Sequence, residues 1–291
     1  MKRREFFKFT ALTAGAITVS PYAKLFPGKE FLLKGKKYAN DIVTLGKTGI
    51  KVSRLAVGTG TNGFAHRSNQ TEELGISGLA DLLIAAYDKG INFWDSADSY
   101  GTHPHLKEAL KHIKREKVVI LTKTRAASAD GMKADLERYL KELGTDYIDI
   151  LLLHQMRSPD WPVEKEGAME VLEKAGKDGI IRAHGVSCHT IEALEAASNS
   201  EWVQVDLARI NPEGIRMDDD VPVVTKVLQK MHRQGKGIVG MKIFGGGRLT
   251  SQPDECLRYV LKLDFVDAFT IGQESKEQMV DLVKRIPKVS T

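Results

Sequence analysis

A (β/α)8 barrel preceded by a β-hairpin is the fold this sequence predicts. Three observations lead there. Eight short apolar segments recur along the chain, a helical period follows each, and no segment runs into a GxGxxG turn. The length of 291 residues suits one such barrel. A doubly wound open sheet is the competing architecture, and the missing glycine fingerprint counts against it. Gly245-Gly246-Gly247 has the wrong spacing and follows the seventh strand candidate, not the first.

Residues 1–23 read as a signal segment. MKRREFFKFTALTAGAITVS places Arg3 and Arg4 ahead of Phe6, Phe7 and Lys8, then a mild apolar run too short to span a membrane. Paired arginines in that setting resemble a bacterial twin-arginine signal, which implies export to the periplasm by the twin-arginine translocase. Pro21-Tyr22-Ala23 is a poor cleavage site, so a retained leader would be the one link to a membrane. Residues 24–40 are rich in Lys and Gly and read as a linker, and residues 41–291 as the barrel domain.

The segment VTLGKTGIKVSRLAVGTG, residues 43–60, alternates around a Lys-Thr-Gly turn and predicts the hairpin, then the first barrel strand at Leu55–Gly58. The remaining strand candidates are Ile91–Trp94, Val118–Leu121, Ile148–Leu153, Ala183–Ser187, Val203–Leu207, Ile238–Phe244 and Ala268–Ile271. Between and after them lie helical periods such as Gly75–Lys89, Lys133–Leu143 and Val221–Gln234. Parallel strands need such crossovers, and eight units close a barrel.

The formal charge of +5 is unevenly placed. Residues 1–37 carry nine Lys or Arg against two Glu, which leaves the remainder at −2. The barrel region gives no reason to expect a nucleic-acid partner. Cys188 and Cys256 make no disulfide framework.

The most informative stretch is GINFWDSADSYG, residues 90–101, with Asp95 at a strand end and Tyr100 in the loop after it. VVILTKT ends the next strand with Lys123, and YIDILLLHQ ends the one after with His154. Chemistry in such barrels sits at the carboxyl ends of the strands. Reducing a carbonyl leaves an alkoxide that needs a proton, and a free phenol of pKa about 10 is a weak donor. An ammonium beside the phenol lowers that pKa, Asp95 would hold the ammonium, and His154 would hydrogen-bond the carbonyl oxygen. Each residue alone has a bland explanation as a cap, core or surface group; four at successive strand ends do not.

With these residues in hand, the chain is identified as resembling an aldo-keto reductase over nearly all of residues 41–287. FWDSADSYG, LTKT, LLLHQ, GVSCHT and GGGRL stand in the family's order. The resemblance implies Asp95, Tyr100, Lys123 and His154 as the catalytic tetrad. It also implies an NAD(P)H cofactor bound without a Rossmann motif, and a small carbonyl or alcohol as substrate. Carried over position by position, the cofactor contacts are Gly58, Thr59, Ser187, Gln204, Met241, Lys242, Phe244, Gly245 and Glu274. Cys188 replaces a usual Asn, and Met241 stands where an aromatic ring commonly stacks. Glu274 occupies an arginine position, and a carboxylate repels a ribose 2′-phosphate, so NAD(H) is expected over NADP(H). These departures keep one alternative open, a nicotinamide-binding sensor or scaffold with little turnover.

The histidines at 103, 105, 112 and 189 with Cys188 are weighed as a metal set and set aside for want of ligand spacing. Trp161 is expected to wall the substrate pocket. The short stretch after the last helical period predicts an open pocket, with Ala208–Asp220 covering part of it. Arg209 and Arg216 in that loop are candidates for an anionic or sugar-like substrate.

Overall fold

The computed structural model describes residues 35–290; the signal segment and most of the linker lie outside them. An antiparallel hairpin, β1 (Ile42–Thr44) and β2 (Lys51–Ser53), comes first. Eight parallel strands follow: β3 (Leu55–Gly58), β4 (Phe93–Asp95), β5 (Val119–Thr124), β6 (Ile148–Met156), β7 (Ile181–Cys188), β8 (Val205–Arg209), β9 (Gly237–Met241) and β10 (Ala268–Gly272). They close as β10-β3-β4-β5-β6-β7-β8-β9, the barrel expected from the sequence. The helices are α1 (Asn69–Glu73), α2 (Gly75–Asp88), α3 (His103–Ala109), α4 (Ala129–Leu143), α5 (Trp161–Glu164), α6 (Glu166–Lys177), α7 (Ile191–Asn199), α8 (Val221–Gln234), α9 (Pro253–Lys262) and α10 (Lys276–Val289). Among the described residues, no helix is long and apolar enough to cross a membrane.

Helix boundaries follow local chemistry. Ser128, Thr190 and Ser275 cap α4, α7 and α10, each hydroxyl accepting a backbone N–H of the first turn. Gly144 ends α4 in the left-handed region. The short α1 has no helical signal in the sequence, because its five polar residues, NQTEE, show no apolar period. Its Ser68–Thr71 capping box accounts for it.

Two apolar layers result from strand alternation. Ala56, Phe93, Leu121, Ile150, Leu152, Val205, Leu207, Val239 and Ala268 fill the barrel interior. Their neighbours Val57, Trp94, Ile120, Leu151, Leu153, Val186 and Ile238 face the helices. The hairpin plugs the amino-terminal end: Leu45, Ile50 and Val52 join the inner layer, and Lys47 N–H donates to Gly235 O at 2.8 Å. Ala39, in the predicted linker, is buried and its carbonyl accepts Leu55 N–H at 2.9 Å, so the last linker residues pack on the barrel. With one end closed, the carboxyl-terminal end remains for chemistry.

Candidate active site

Strand parity builds the site. Continuing the inward series to the carboxyl-terminal end of each strand gives Gly58, Asp95, Lys123, His154, Ser187, Arg209 and Met241, with Thr270 inward on β10. Apolar residues fill the interior below, and polar ones crown it.

At the centre, Lys123 is fully buried and its Nζ donates to Asp95 Oδ1 at 2.5 Å and to Ser96 O at 2.6 Å. Thr270 donates to the other carboxylate oxygen at 3.0 Å. The ammonium lies 4.7 Å from the centroid of the Tyr100 ring. His154 meets that ring edge-on, at 5.9 Å between centroids. The four predicted catalytic residues are therefore in one place.

Two glycines grip the phenol. A Cβ on Gly60 would stand 2.2 Å from Tyr100 Cε2, and one on Gly63 2.2 Å from Cδ1. The β3–α1 loop thus closes on both edges of the ring. Below it, Arg138 on α4 pairs with Asp98, Asp135 and Glu142, and His103 bridges Glu142 and Thr122. Asp98, His103 and Glu142 bring ligand atoms within 4.8 Å of one another, yet the Arg138 guanidinium already occupies the carboxylates. The cluster reads as a brace for the Tyr100 loop.

The electrostatics correct one expectation. Burial raises the Tyr100 pKa, Lys123 opposes the rise, and the net direction is upward. The phenol is neutral at ordinary pH. Burial pulls the Lys123 ammonium down, but Asp95 and then Tyr100 outweigh it, and its pKa ends raised. His154 is pushed well below the usual histidine value by burial, then by Lys123 and Arg125, so its ring is neutral and keeps one N–H to donate.

The cofactor positions divide. Ser187 faces inward and its Oγ accepts Gln155 N–H at 3.0 Å. Gln155, at the register shift near the end of β6, adopts φ 62°, and Lys242, just after β9, φ 58°, left-handed conformations uncommon in non-glycine residues. Met241 is half-buried against the inner layer, at the rim. Lys242 is half-buried, its pKa lowered by burial and then by Arg216 and Arg209. Phe244 packs on the outer layer and Gly245 opens the three-glycine turn. Glu274 accepts from Asn69 Nδ2 at 2.8 Å.

Three positions do not fit the roles expected of them. Cys188 is one step beyond Ser187, so it points outward into the helix-facing layer, where burial raises its thiol pKa well above normal. Gln204 is exposed at the start of β8, near the hairpin end, with Oε1 accepting His184 N–H at 3.1 Å. It shares the outward parity of Asp206 and cannot meet Ser187. Thr59 is fully buried, its hydroxyl donating to Asp95 O at 2.9 Å and lying 2.9 Å from Thr102 Oγ1. Gly58 is needed for closure, since a Cβ there would stand 2.9 Å from the Ile271 carbonyl.

Other residues join the rim without a sequence signal. Arg125, Gln155 and Arg157 line a cavity of about 360 Å³ with His154. Trp161 lines it too and is itself buried, its Nε1–H donating to Ala193 O at 3.2 Å. Arg209 pairs with Asp218.

The rim suits an anionic dinucleotide. Arg216 lies against the three-glycine turn, where a Cβ on Gly246 would stand 2.9 Å from its Cδ, and among the described residues neither it nor Lys242 has a carboxylate partner. Gln273, at the end of β10, is fully buried with both side-chain amide atoms unpartnered.

Known proteins resemble this chain in sequence and in fold. Residues 54–258 match the family model for the aldo/keto reductase family. The aldo-keto reductase YhdN of Bacillus subtilis (strain 168) is 32% identical over 169 residues, 53% of this chain and 49% of that protein. The chain thus spans about half the length of that relative. A D-threo-aldose 1-dehydrogenase from a Pseudomonas species is 26% identical over 245 residues, 72% of each protein. The holo form of an aldo-keto reductase from Bacillus halodurans superposes with a TM-score of 0.69 at 18% identity, over 86% of this chain and 96% of that one, a likeness of fold. Matched over most of its barrel by the family model, this chain belongs to the aldo/keto reductase family.

Proposed function

We propose that the chain is a nicotinamide-dependent oxidoreductase that interconverts an aldehyde or ketone and its alcohol, with Tyr100 as the general acid and base. The single observation that carries this reading is the buried Asp95–Lys123 pair set beneath the Tyr100 ring, with His154 against the ring edge. A neutral phenol holds the proton that a new alkoxide requires. The Lys123 ammonium stabilises the phenolate left behind. Neutral His154 donates its N–H to the carbonyl oxygen and orients it. The rival sensor or scaffold role finds no support in a tetrad so fully assembled.

The nicotinamide group supplies a hydride in reduction and accepts one in oxidation. Ser187 and Met241 would face its ring; Lys242, Phe244 and Gly245 would meet its pyrophosphate. Glu274 supports NAD(H) over NADP(H), since its carboxylate would repel a 2′-phosphate. Lower KM for NADPH than for NADH would refute that preference.

Tyr100→Phe tests the main reading: carbonyl reduction should fall by about 10²–10⁴-fold, the range for a general acid, while dinucleotide binding persists. Unchanged turnover would remove Tyr100 from the chemistry. For location, the paired arginines support export through the twin-arginine route. Replacing Arg3 and Arg4 by Lys should leave the protein in the cytoplasm, and unaltered periplasmic yield would refute export by that route.

A further inference from the structure

Two groups of unpaired cations crown the barrel, and a dinucleotide accounts for only one. Lys242 and Arg216, with Arg248, flank β9 and the three-glycine turn. Arg125 follows β5, Arg157 follows β6 and Lys165 follows α5, around the cavity that His154 lines. Among the described residues, neither Arg125, Arg157 nor Lys165 forms an ion pair. Yet the chain beyond its basic leader is net negative. Three cations around one small cavity run against that balance.

The cavity opens beside His154, with Arg125 and Arg157 exposed at its edge. Its volume is about 360 Å³, with His154, Met156 and Trp161 among its walls. Arg125 is steered by a hydrogen bond of 2.7 Å from its Nη2 to Gln155 Oε1. Gln155 is itself fixed by its left-handed backbone and by its N–H bond to Ser187. Lys165 Nζ donates to the Arg125 carbonyl at 3.4 Å. Glu164 is the one carboxylate in the lining, against three cations. The field is felt at the reacting end: Arg125 is among the charges that depress His154, and Arg157 among those that hold His189, after its burial, at about 3.

We propose that this cavity is a substrate subsite for an anionic group, so that the carbonyl compound reduced here is small and carries a carboxylate or a phosphate. The inference rests on the oxidoreductase reading and names its substrate class. Guanidinium groups recognise both anions through paired N–H donors, and a cavity of this size lies at the small end of ligand sites. The anion anchors beside Arg125 and Arg157 while the carbonyl oxygen meets Tyr100 and His154. In the reaction the carbonyl carbon gains the hydride of a reduced nicotinamide and the oxygen gains the Tyr100 proton. The C=O π bond breaks, the nicotinamide is oxidised, and the anionic group leaves unchanged on the alcohol.

The test uses the full chain with saturating reduced nicotinamide and two matched pairs: 4-oxobutanoate against its methyl ester, and glyceraldehyde 3-phosphate against glyceraldehyde. An anion should have a kcat/KM at least about tenfold above its neutral partner, and the ratio should fall toward one in Arg157→Gln and in Arg125→Gln. The pair that shows the effect identifies carboxylate or phosphate. A ratio near one in the wild type, or one that survives both substitutions, overturns the anionic subsite and leaves the oxidoreductase reading standing. If no carbonyl turns over, that reading fails on its own, and calorimetry with succinate and with inorganic phosphate decides the subsite. Saturable binding lost in Arg157→Gln supports it; no binding overturns it.

Discussion

Replacing Gly60 by Ala isolates the placement of Tyr100 from its chemistry. The new Cβ would stand 2.2 Å from Tyr100 Cε2 and 2.5 Å from Cζ. Non-bonded carbons settle at roughly 3.5–4.0 Å, so the ring edge must retreat by roughly 1.3–1.8 Å. It cannot slide away within its own plane, because Gly63 stands equally close to the opposite edge. The ring must tilt, and the phenol oxygen moves with it. A misplacement near 1 Å costs about 100-fold, or about 2.7 kcal/mol in the barrier. Neither Gly60 nor Gly63 is in the left-handed region, so alanine brings no backbone strain and crowding is the whole perturbation. Overpacking should cost about 1–3 kcal/mol of stability, which a thermal melt separates from the kinetic effect. The assay is steady-state reduction of an aldehyde alongside a fluorescence titration of the dinucleotide. Expected are a kcat/KM lower by about 100-fold, an unchanged dinucleotide Kd, and little further loss when Gly60→Ala is placed in a Tyr100→Phe background. A folded Gly60→Ala protein with kcat/KM within about threefold of wild type would refute the clamp.

Three further outcomes follow from burial and charge. Lys123→Met removes a fully buried partner of Asp95, leaving Thr270 as that carboxylate's side-chain donor, and should destabilise by about 3–5 kcal/mol in urea unfolding; a loss below about 1 kcal/mol would contradict the pairing. Asp206 is fully buried with both oxygens unpartnered, and burial, then Asp218, raises its pKa well above the usual carboxylate value. A raised carboxyl pKa destabilises increasingly as pH climbs past the unfolded value, so Asp206→Asn should raise Tm at pH 7 and lose that advantage near pH 4; an equal gain at both would be inconsistent. His184 is held by burial at about 4. Its lowered pKa means the unfolded chain binds a proton first, so stability should fall by up to about 3 kcal/mol as pH drops from 6.5 toward 4. His184→Phe, which keeps the stack on Trp202, should flatten that slope in melts across the range, and an unaltered slope would assign it elsewhere.

The barrel was legible because each strand is an apolar run and each crossover has a helical period. The tetrad was legible because three of its members lie at strand ends and Tyr100 in the loop after one of them, and position along a strand can be read from sequence. Face cannot be read here. An interior strand of this barrel is apolar on both sides, toward the inner layer and toward the helices. No polar alternation marks which way Ser187 or Cys188 points, and a one-residue step reverses the answer. The resemblance puts Cys188 and Gln204 in the cofactor site, and strand parity turns both outward. Thr59 failed differently: a small hydroxyl suits a ligand or a neighbouring backbone equally, and here the Asp95 carbonyl takes it. Arg125, Arg157 and Lys165 meet around one cavity from two strand ends and a short helix, and no local motif records that meeting.

The direction of the Tyr100 shift changes what the buried pair contributes. From sequence alone, Lys123 is expected to acidify the phenol. In the folded protein burial dominates, and the phenol is a weaker acid than in water. An uncompensated phenol there would be weaker still, since a phenolate would form with no counter-charge beside it. Lys123 limits that penalty, and it can do so only while charged. Burial alone would push its proton off; Asp95, locked by Thr270, keeps it on. Asp95 therefore acts on Tyr100 through Lys123, although its own charge at the phenol works the opposite way. The arrangement holds the phenol proton in the resting site and keeps a positive charge beside the oxygen that must release it. That combination suits proton donation to an alkoxide, a far stronger base than water, and it places the rising limb of the reverse reaction at alkaline pH, where the phenol ionises and can take the alcohol's proton.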